Sequence, residues 1–425
     1  MRIAAVCGTL SVLMLVPGVS VTPQTAATSR IAEDVRYLAS DQLAGRLIGS
    51  AGADSAAAWI ARRMQQAGLS RAPGATSWYQ SFIIAHDAPA AHGTPLAGAR
   101  GRNVIGVLKG RDPALADEYI VIGAHYDHLG TGGAGGSLDP DSAGVPHNGA
   151  DDNASGVAAV LEIARRLSAA RPVRSVIFVA FSGEEEGLLG SAHYVKYPPV
   201  PNEQVVAMLN FDMVGRLRDD KLIIYGVETA REWRGMIDSL NTAAHFALTL
   251  QGDGYGPSDH TSFTLVKKPV LHFFTGTHAE YHRTTDDFGT INLDGILRVA
   301  ALASDIVTVT ANRGPRLNFV ESAPPAASTG GSRSSGYGAY LGSIPDMTGN
   351  PGGVALSGVR AGSPAEAGGL QAGDVIVRIG THLVPDLQAM TDALRAYAPG
   401  DTVEIAYRRE GSERRTQVVL GRRGG

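Results

Sequence analysis

Six short apolar runs recur between residues 103 and 275, separated by stretches whose apolar residues return every three or four positions. The runs are "NVIGVL" (103–108), "YIVIGAH" (119–125), "SVIFVAFS" (175–182), "VVAMLNFDM" (205–213), "KLIIYG" (221–226) and "PVLHFFT" (269–275). Several are apolar at successive rather than alternate positions, the pattern of a strand covered on both faces. Between them, Val157, Val160, Leu161, Ala164 and Leu167 share one helix face, and further helices are expected over about 229–245 and 291–311. Upstream, Ala56, Ile60, Met64 and Ala67 stand at helical spacing before Gly68, which ends that helix. The alternation predicts an α/β fold with a mixed, largely parallel sheet covered by helices.

Where the runs stop, ionisable residues begin. His125 and Asp127 stand in "GAHYDHLG", Asp151 and Asp152 in "NGADDNASG", Glu184, Glu185 and Glu186 in "FSGEEEGLLGS", Asp212 in "LNFDMVGR" and His282 in "AEYHRTTDD". No one fragment is diagnostic, since a lone His-x-Asp serves structural purposes and three glutamates in a row suit a solvated surface. Together they are hard to explain as five independent buried charges, because unpaired buried charge is costly. In open α/β sheets, sites form outside the carboxyl ends of the strands, where these residues would converge. A divalent metal is the natural partner of such a set. The chain's one cysteine is Cys7, near the start, so such a site must be built from histidine and carboxylate.

In their order and spacing, the five fragments resemble the dinuclear zinc aminopeptidases, the secreted bacterial leucyl aminopeptidase type, over about residues 30 to 310. The resemblance implies a zinc exopeptidase-like fold and two Zn2+ per chain. It implies that His125 and Asp212 hold one ion, that Glu185 and His282 hold the other, and that Asp152 rather than Asp151 bridges them. Asp127 would orient His125, a role that metal-bound imidazoles generally require. Glu184 would be the general base acting on a metal-bridging water, which leaves Glu186 outside the set. The segment "DGYGPSDH" resembles the family stretch whose tyrosine donates to the developing oxyanion, pointing to Tyr255. Asp253 and Pro257 stand where some relatives carry a disulfide. His128, His147, His193, His260, His272 and His278 are read as supporting, loop or core residues, with His260 also suited to a pocket wall.

The first residues, "MRIAAVCGTLSVLMLVPGVSVTPQTAA", join one arginine to an apolar stretch too short to span a bilayer, which suggests a secretory signal over 1–27 and a secreted or periplasmic protein. The catalytic domain is then expected over 28–311. A Pro-, Gly- and Ser-rich break reads as a flexible linker over 312–335. Residues 336–425, with "YGAYLGSIPD" and "GSPAEAGGLQAGDVI", resemble a bacterial PDZ domain, a small β domain. Such domains take an extended peptide as an added strand and hold its C-terminal carboxylate on backbone N–H groups, here implied at Tyr340, Leu341 and Gly342.

With 37 Lys and Arg against 41 Asp and Glu, the net charge of −4 offers no basic patch for nucleic acid, and no integral membrane span is expected in the mature chain. The leading reading is a zinc-dependent aminopeptidase acting on peptides. Glutaminyl cyclases and carboxypeptidases share the fold and much of the ligand set. A peptide-binding protein built on an inactive peptidase fold is the reading from a different class.

Overall fold

The computed structural model describes residues 23–84, 96–132, 137–139, 142–252, 254–321, 339–345, 352–359, 362–385, 389–390, 393–394 and 396–421. Most of the expected signal segment, the middle of the expected linker, Cys7 and Asp253 lie outside these residues. From Pro23 the chain is helical, and Ala27 is buried in the core, so the folded unit begins inside the stretch assigned to the signal.

Elements alternate as the apolar runs suggest. Helices α1 (Pro23–Leu38) and α2 (Ala51–Gln66) precede β1 (Tyr79–Ile83), β2 (Arg100–Leu108) and β3 (Tyr119–His125). Then come α3 (Gly156–Ala170), β4 (Ser175–Phe181), α4 (Leu189–Lys196), β5 (Val205–Phe211), β6 (Lys221–Tyr225) and α5 (Trp233–Ala244). The unit closes with β7 (Ala247–Leu250), α6 (His260–Leu265), β8 (Val270–Phe274) and α7 (Leu293–Asn312). Ser50 starts α2 by accepting from the Ala53 N–H, and Asn292 starts α7 by accepting from Gly295.

The strands form an 8-stranded sheet in the order β1-β2-β4-β3-β5-β8-β6-β7. Its centre is parallel, through β4 with β3, β3 with β5 and β5 with β8; β1 with β2, β2 with β4 and β6 with β8 pair antiparallel, and the edge strand β7 runs parallel to β6. Side chains alternate between two cores. Ile120, Ile122 and Ala124 of β3 and Val176, Phe178 and Ala180 of β4 join the core that includes α1, α3 and α7. Tyr119, Val121, Ile177, Val179 and Phe181 join the core on the opposite face. This two-sided burial is why β3, β4 and β5 read as unbroken apolar runs.

Strands β1 and β7 were not expected. They are short edge strands whose exposed and half-buried residues give no apolar run. The stretch read as linker also begins differently: Leu317 packs into the core, Phe319 bridges Ala230, and Val320 donates to Thr229 O at 2.9 Å.

A second sheet holds β9 (Ser343–Pro345), β10 (Val354–Val359), β11 (Val375–Ile379), β12 (His382–Leu383), β13 (Thr402–Arg409) and β14 (Ser412–Val419), with the short α8 (Pro364–Ala367). It is antiparallel throughout and buries its own core, which includes Leu341, Leu356, Ile376, Ile405 and Leu420.

All three tryptophans, Trp59, Trp78 and Trp233, lie in the first unit, so tryptophan fluorescence reports on it alone. Phe178 has no exposed surface. Phe178→Ala should therefore destabilise that unit by about 3–5 kcal/mol, seen as a lower urea midpoint by tryptophan fluorescence. A loss below about 1 kcal/mol would contradict this packing.

Candidate metal centre

Three parallel strands deliver the acids and the first histidine to one edge of the sheet. His125 ends β3, Glu184 and Glu185 follow β4, and Asp212 follows β5. Asp151 and Asp152 lie on the turn that enters α3, and His282 on the loop between β8 and α7. His125, Asp152, Glu184, Glu185 and His282 are each at most 8% exposed.

Asp152 stands at the centre. Its Oδ1 lies 3.3 Å from His125 Nε2, and its Oδ2 lies 3.3 Å from His282 Nε2. His125 Nε2 is also 3.4 Å from Asp212 Oδ1, and His282 Nε2 is 3.2 Å from Glu185 Oε2. Two atoms bound to one tetrahedral zinc at about 2.0–2.1 Å stand about 3.3 Å apart. The spacings within His125–Asp152–Asp212 and within Asp152–Glu185–His282 are those of ligand edges. The nitrogen and oxygen donors suit zinc, so the residues present fit two such ions sharing Asp152; His282 stands at ligand spacing from Asp152 and Glu185, and His128 also lies close enough to these two acids to share an ion with them.

The surrounding backbone holds Asp152 in place. Asp286, unforeseen from the sequence, accepts from the N–H groups of both Asp151 and Asp152, at 2.9 and 3.0 Å. Asp151 Oδ1 accepts from Gly215 N at 2.6 Å and from Ser155 Oγ at 2.9 Å, and His278 Nε2 lies 3.1 Å from Asp151 Oδ2. Arg46, 1% exposed, donates to the carbonyls of Tyr126, Leu38, Asn148 and Gly149, tying the segment after His125 to the segment before Asp151. Gly45, at φ +70°, allows this approach, because a Cβ there would lie 2.1 Å from Gly130 O.

Other residues take positions of their own. The nearest acceptor to His125 Nδ1 is the main-chain oxygen of Asp127 at 3.2 Å, with the Asp127 carboxylate at 3.9 Å. That carboxylate instead accepts from the Glu184 N–H at 3.2 Å, so Asp127 braces the loop carrying the acid pair. Asp212 Oδ2 accepts from Ser258 Oγ at 2.7 Å, and Ser258 accepts from Asn210 Nδ2 at 2.8 Å. Tyr255 is half-buried on the segment before α6. Tyr281 stacks on His282 with ring centroids 3.8 Å apart. Its position directly before His282 was the one sequence signal for it.

Among the histidines read as supporting residues, His128 places Nδ1 2.7 Å from Glu185 Oε1. His260 stacks on His272 at 4.4 Å, His193 stacks on Phe82, and His147 Nε2 lies 2.8 Å from Ser137 Oγ. In the second unit, the Tyr340 N–H and C=O both pair with Gly421, Leu341 is buried in the core, and Gly342 adopts φ +79° against Ser363.

Burial sets the proton affinities. It pushes Glu184 well above the usual carboxylate range, helped by Asp212, Glu185 and Asp259 and opposed by His125. Burial alone would lower both site histidines, but the carboxylates outweigh it. Asp212, Glu184 and Asp152 raise His125 well above its ordinary value, and Glu185 and Asp152 raise His282 to about 10. Burial and the facing carboxylates Asp152, Glu185, Glu184 and Asp212 likewise push the Tyr281 phenol well above 10.

Residues 103–307 match the sequence profile described as peptidase family M28, and residues 339–420 match that of the PDZ domain. A probable zinc metalloprotease of Pyrenophora tritici-repentis is 32% identical over 39% of this chain and 35% of its own length. An aminopeptidase of Bacillus subtilis is 32% identical over 38% of this chain and 33% of its own. The chain thus spans about a third of the length of these relatives. Among solved structures, BSAP, a zinc aminopeptidase from Bacillus subtilis, superposes with a TM-score of 0.53 at 18% identity, over 67% of this chain and 95% of its own. A Bacteroides thetaiotaomicron glutaminyl cyclase also scores 0.53 at 18% identity, over 67% and 97%. These superpositions establish the fold.

A histidine must lose its proton before it binds metal. With His282 raised to about 10 and His125 raised in the same direction, the metal-free site favours the protonated imidazoles. Zinc uptake at pH 7 should therefore release protons and tighten as pH rises toward 10. Calorimetry in buffers of different ionisation enthalpy measures this release. Uptake without proton release between pH 6 and 8, on the order of one unit either side of neutrality, would contradict it.

Proposed function

Since residues 103–307 match the profile of peptidase family M28 and residues 339–420 that of the PDZ domain, we propose that the chain is a zinc-dependent aminopeptidase that hydrolyses N-terminal residues from peptides. The observation that carries this reading is Asp152 set at ligand spacing from both His125 and His282, with Asp212 and Glu185 at the same spacing on either side and Glu184 buried beside them. His125, Asp152 and Asp212 would hold one ion, and Asp152, Glu185 and His282 the other. When bound, the two ions supply positive charge that polarises the scissile carbonyl and lowers the pKa of water.

Glu184 handles the proton. Its carboxylate takes one from the attacking water and returns it to the leaving amine nitrogen as the C–N bond breaks, so that water adds across the peptide bond. Burial supports this, since it makes the protonated intermediate state of Glu184 inexpensive to hold. Asp127, through the Glu184 N–H, keeps the base oriented. Tyr255 is assigned as hydroxyl donor to the developing oxyanion. Tyr281, stacked on His282, is the other phenol near this point.

The apolar leader composition supports export, and among the described residues no helix is long and apolar enough to cross a membrane. The PDZ domain is a site for a peptide C-terminus. Strand β9 at the edge of its sheet would take the added strand, with the carboxylate near Leu341 and Gly342.

Mass analysis of products tests the reading, using one peptide series with free and with acetylated amino termini. The zinc-loaded protein should trim the free-amine peptides stepwise from the N-terminus and leave the acetylated ones intact. Loss of ammonia from N-terminal Gln would instead establish a cyclase, and C-terminal trimming a carboxypeptidase. Glu184→Gln should keep its metal and lose about 10²–10⁴ in kcat, and near-full turnover would remove Glu184 as the base. Tyr255→Phe should lose about 10²-fold, and the same loss in Tyr281→Phe alone would move the donor role there.

A further inference from the structure

The two terminal carboxylates of the site are held alike. Asp212 turns Oδ1 toward His125, while its Oδ2 accepts from Ser258 at 2.7 Å. Glu185 turns Oε2 toward His282 at 3.2 Å, while its Oε1 lies 2.7 Å from His128 Nδ1. In each acid one oxygen is anchored within the protein and the other faces a histidine.

Distances separate the two kinds of contact. Ligand atoms of one tetrahedral ion stand about 3.3 Å apart. His282 meets that spacing with both Asp152 and Glu185, at 3.3 and 3.2 Å. His128 Nδ1 does not, being 2.7 Å from Glu185 Oε1 and 4.0 Å from Asp152 Oδ2. The shorter distance is a charge-assisted hydrogen bond.

The proton that makes it belongs to His128. A carboxylate that binds a metal ion is ionised, and an ionised carboxylate only accepts. His128 has no exposed surface, and its Nε2 has no hydrogen-bond partner among the described residues. A proton on Nδ1 therefore makes a bond, whereas one on Nε2 would be a buried donor without an acceptor. Gly149 leaves room for the ring, since a Cβ there would lie 2.6 Å from His128 Cδ2.

The geometry assigns His128 as a positioning residue: its Nδ1–H holds Glu185 Oε1, so that Glu185 offers only Oε2 to the ion it shares with Asp152 and His282. This rests on the two-ion reading above and extends it. A glutamate free to turn can give both oxygens to one ion and fill a position that substrate needs. A glutamate clamped by His128 gives one, as Asp212 clamped by Ser258 does on the other side.

The test is metal titration of the metal-free full chain with Zn2+ against a competing chromophoric chelator, for the wild type, His128→Phe and His128→Asn. His128→Phe keeps a ring in the pocket and removes the donor. His128→Asn restores an N–H near the position of Nδ1. For His128→Phe the second ion should bind about 10–100-fold more weakly, with the first within about twofold of wild type. His128→Asn should recover most of that loss. Unchanged affinity for both ions in His128→Phe would overturn the assignment, and so would equal weakening of both ions. Equal loss of the second ion in His128→Phe and His128→Asn would overturn it in favour of His128 as a direct ligand. A wild-type chain that takes fewer than two ions would overturn this assignment and the two-ion reading together.

Discussion

The site depends on one buried carboxylate facing two imidazoles at once. Asp152 turns each oxygen to a different histidine at 3.3 Å, and the surrounding structure keeps it from turning. Its amide and that of Asp151 are held by Asp286, the Asp151 side chain is held by Gly215 and Ser155, and Arg46 joins the flanking segments through four carbonyls. Gathering Asp127, Asp151, Asp152, Glu184, Glu185, Asp259 and Asp286 under the surface is electrostatically costly. In the metal-free protein that cost shows as raised proton affinity on Glu184 and on the two histidines. Two divalent cations answer it better, which is why the acid cluster itself argues for them.

The parallel centre of the sheet explains how distant residues meet. Strands β4, β3, β5 and β8 run the same way in adjacent positions, so the residues at their carboxyl ends share one edge. The proposed base, three of the five ligand candidates and the segment bearing Tyr281 and His282 follow from that one topological fact. Helices α1, α3 and α7 cover one face and a separate core the other, leaving the strand ends as the open side.

The central strands were legible in the sequence because burial on both faces leaves long apolar runs. His125, Asp152, Glu185, Asp212 and His282 were legible as candidates because each follows such a run or a Gly-rich turn. The edge strands β1 and β7 were hidden, since they are only five and four residues long and partly exposed, so neither leaves an apolar run. The residues that position the ligands were hidden for another reason. Asp286, Ser258, His128 and Arg46 are of common types, and their roles arise from contacts between residues far apart in the chain, up to 135 positions for Asp286 with Asp151. The packing of Leu317 and Phe319 was missed because the surrounding composition resembles a linker.

The most direct measurement of the account is the crystal structure of the zinc-loaded chain, with data collected on both sides of the zinc absorption edge. The account predicts two anomalous peaks about 3.5–4 Å apart, one among His125, Asp152 and Asp212 and one among Asp152, Glu185 and His282. A single peak, or two peaks not joined by Asp152, would contradict it.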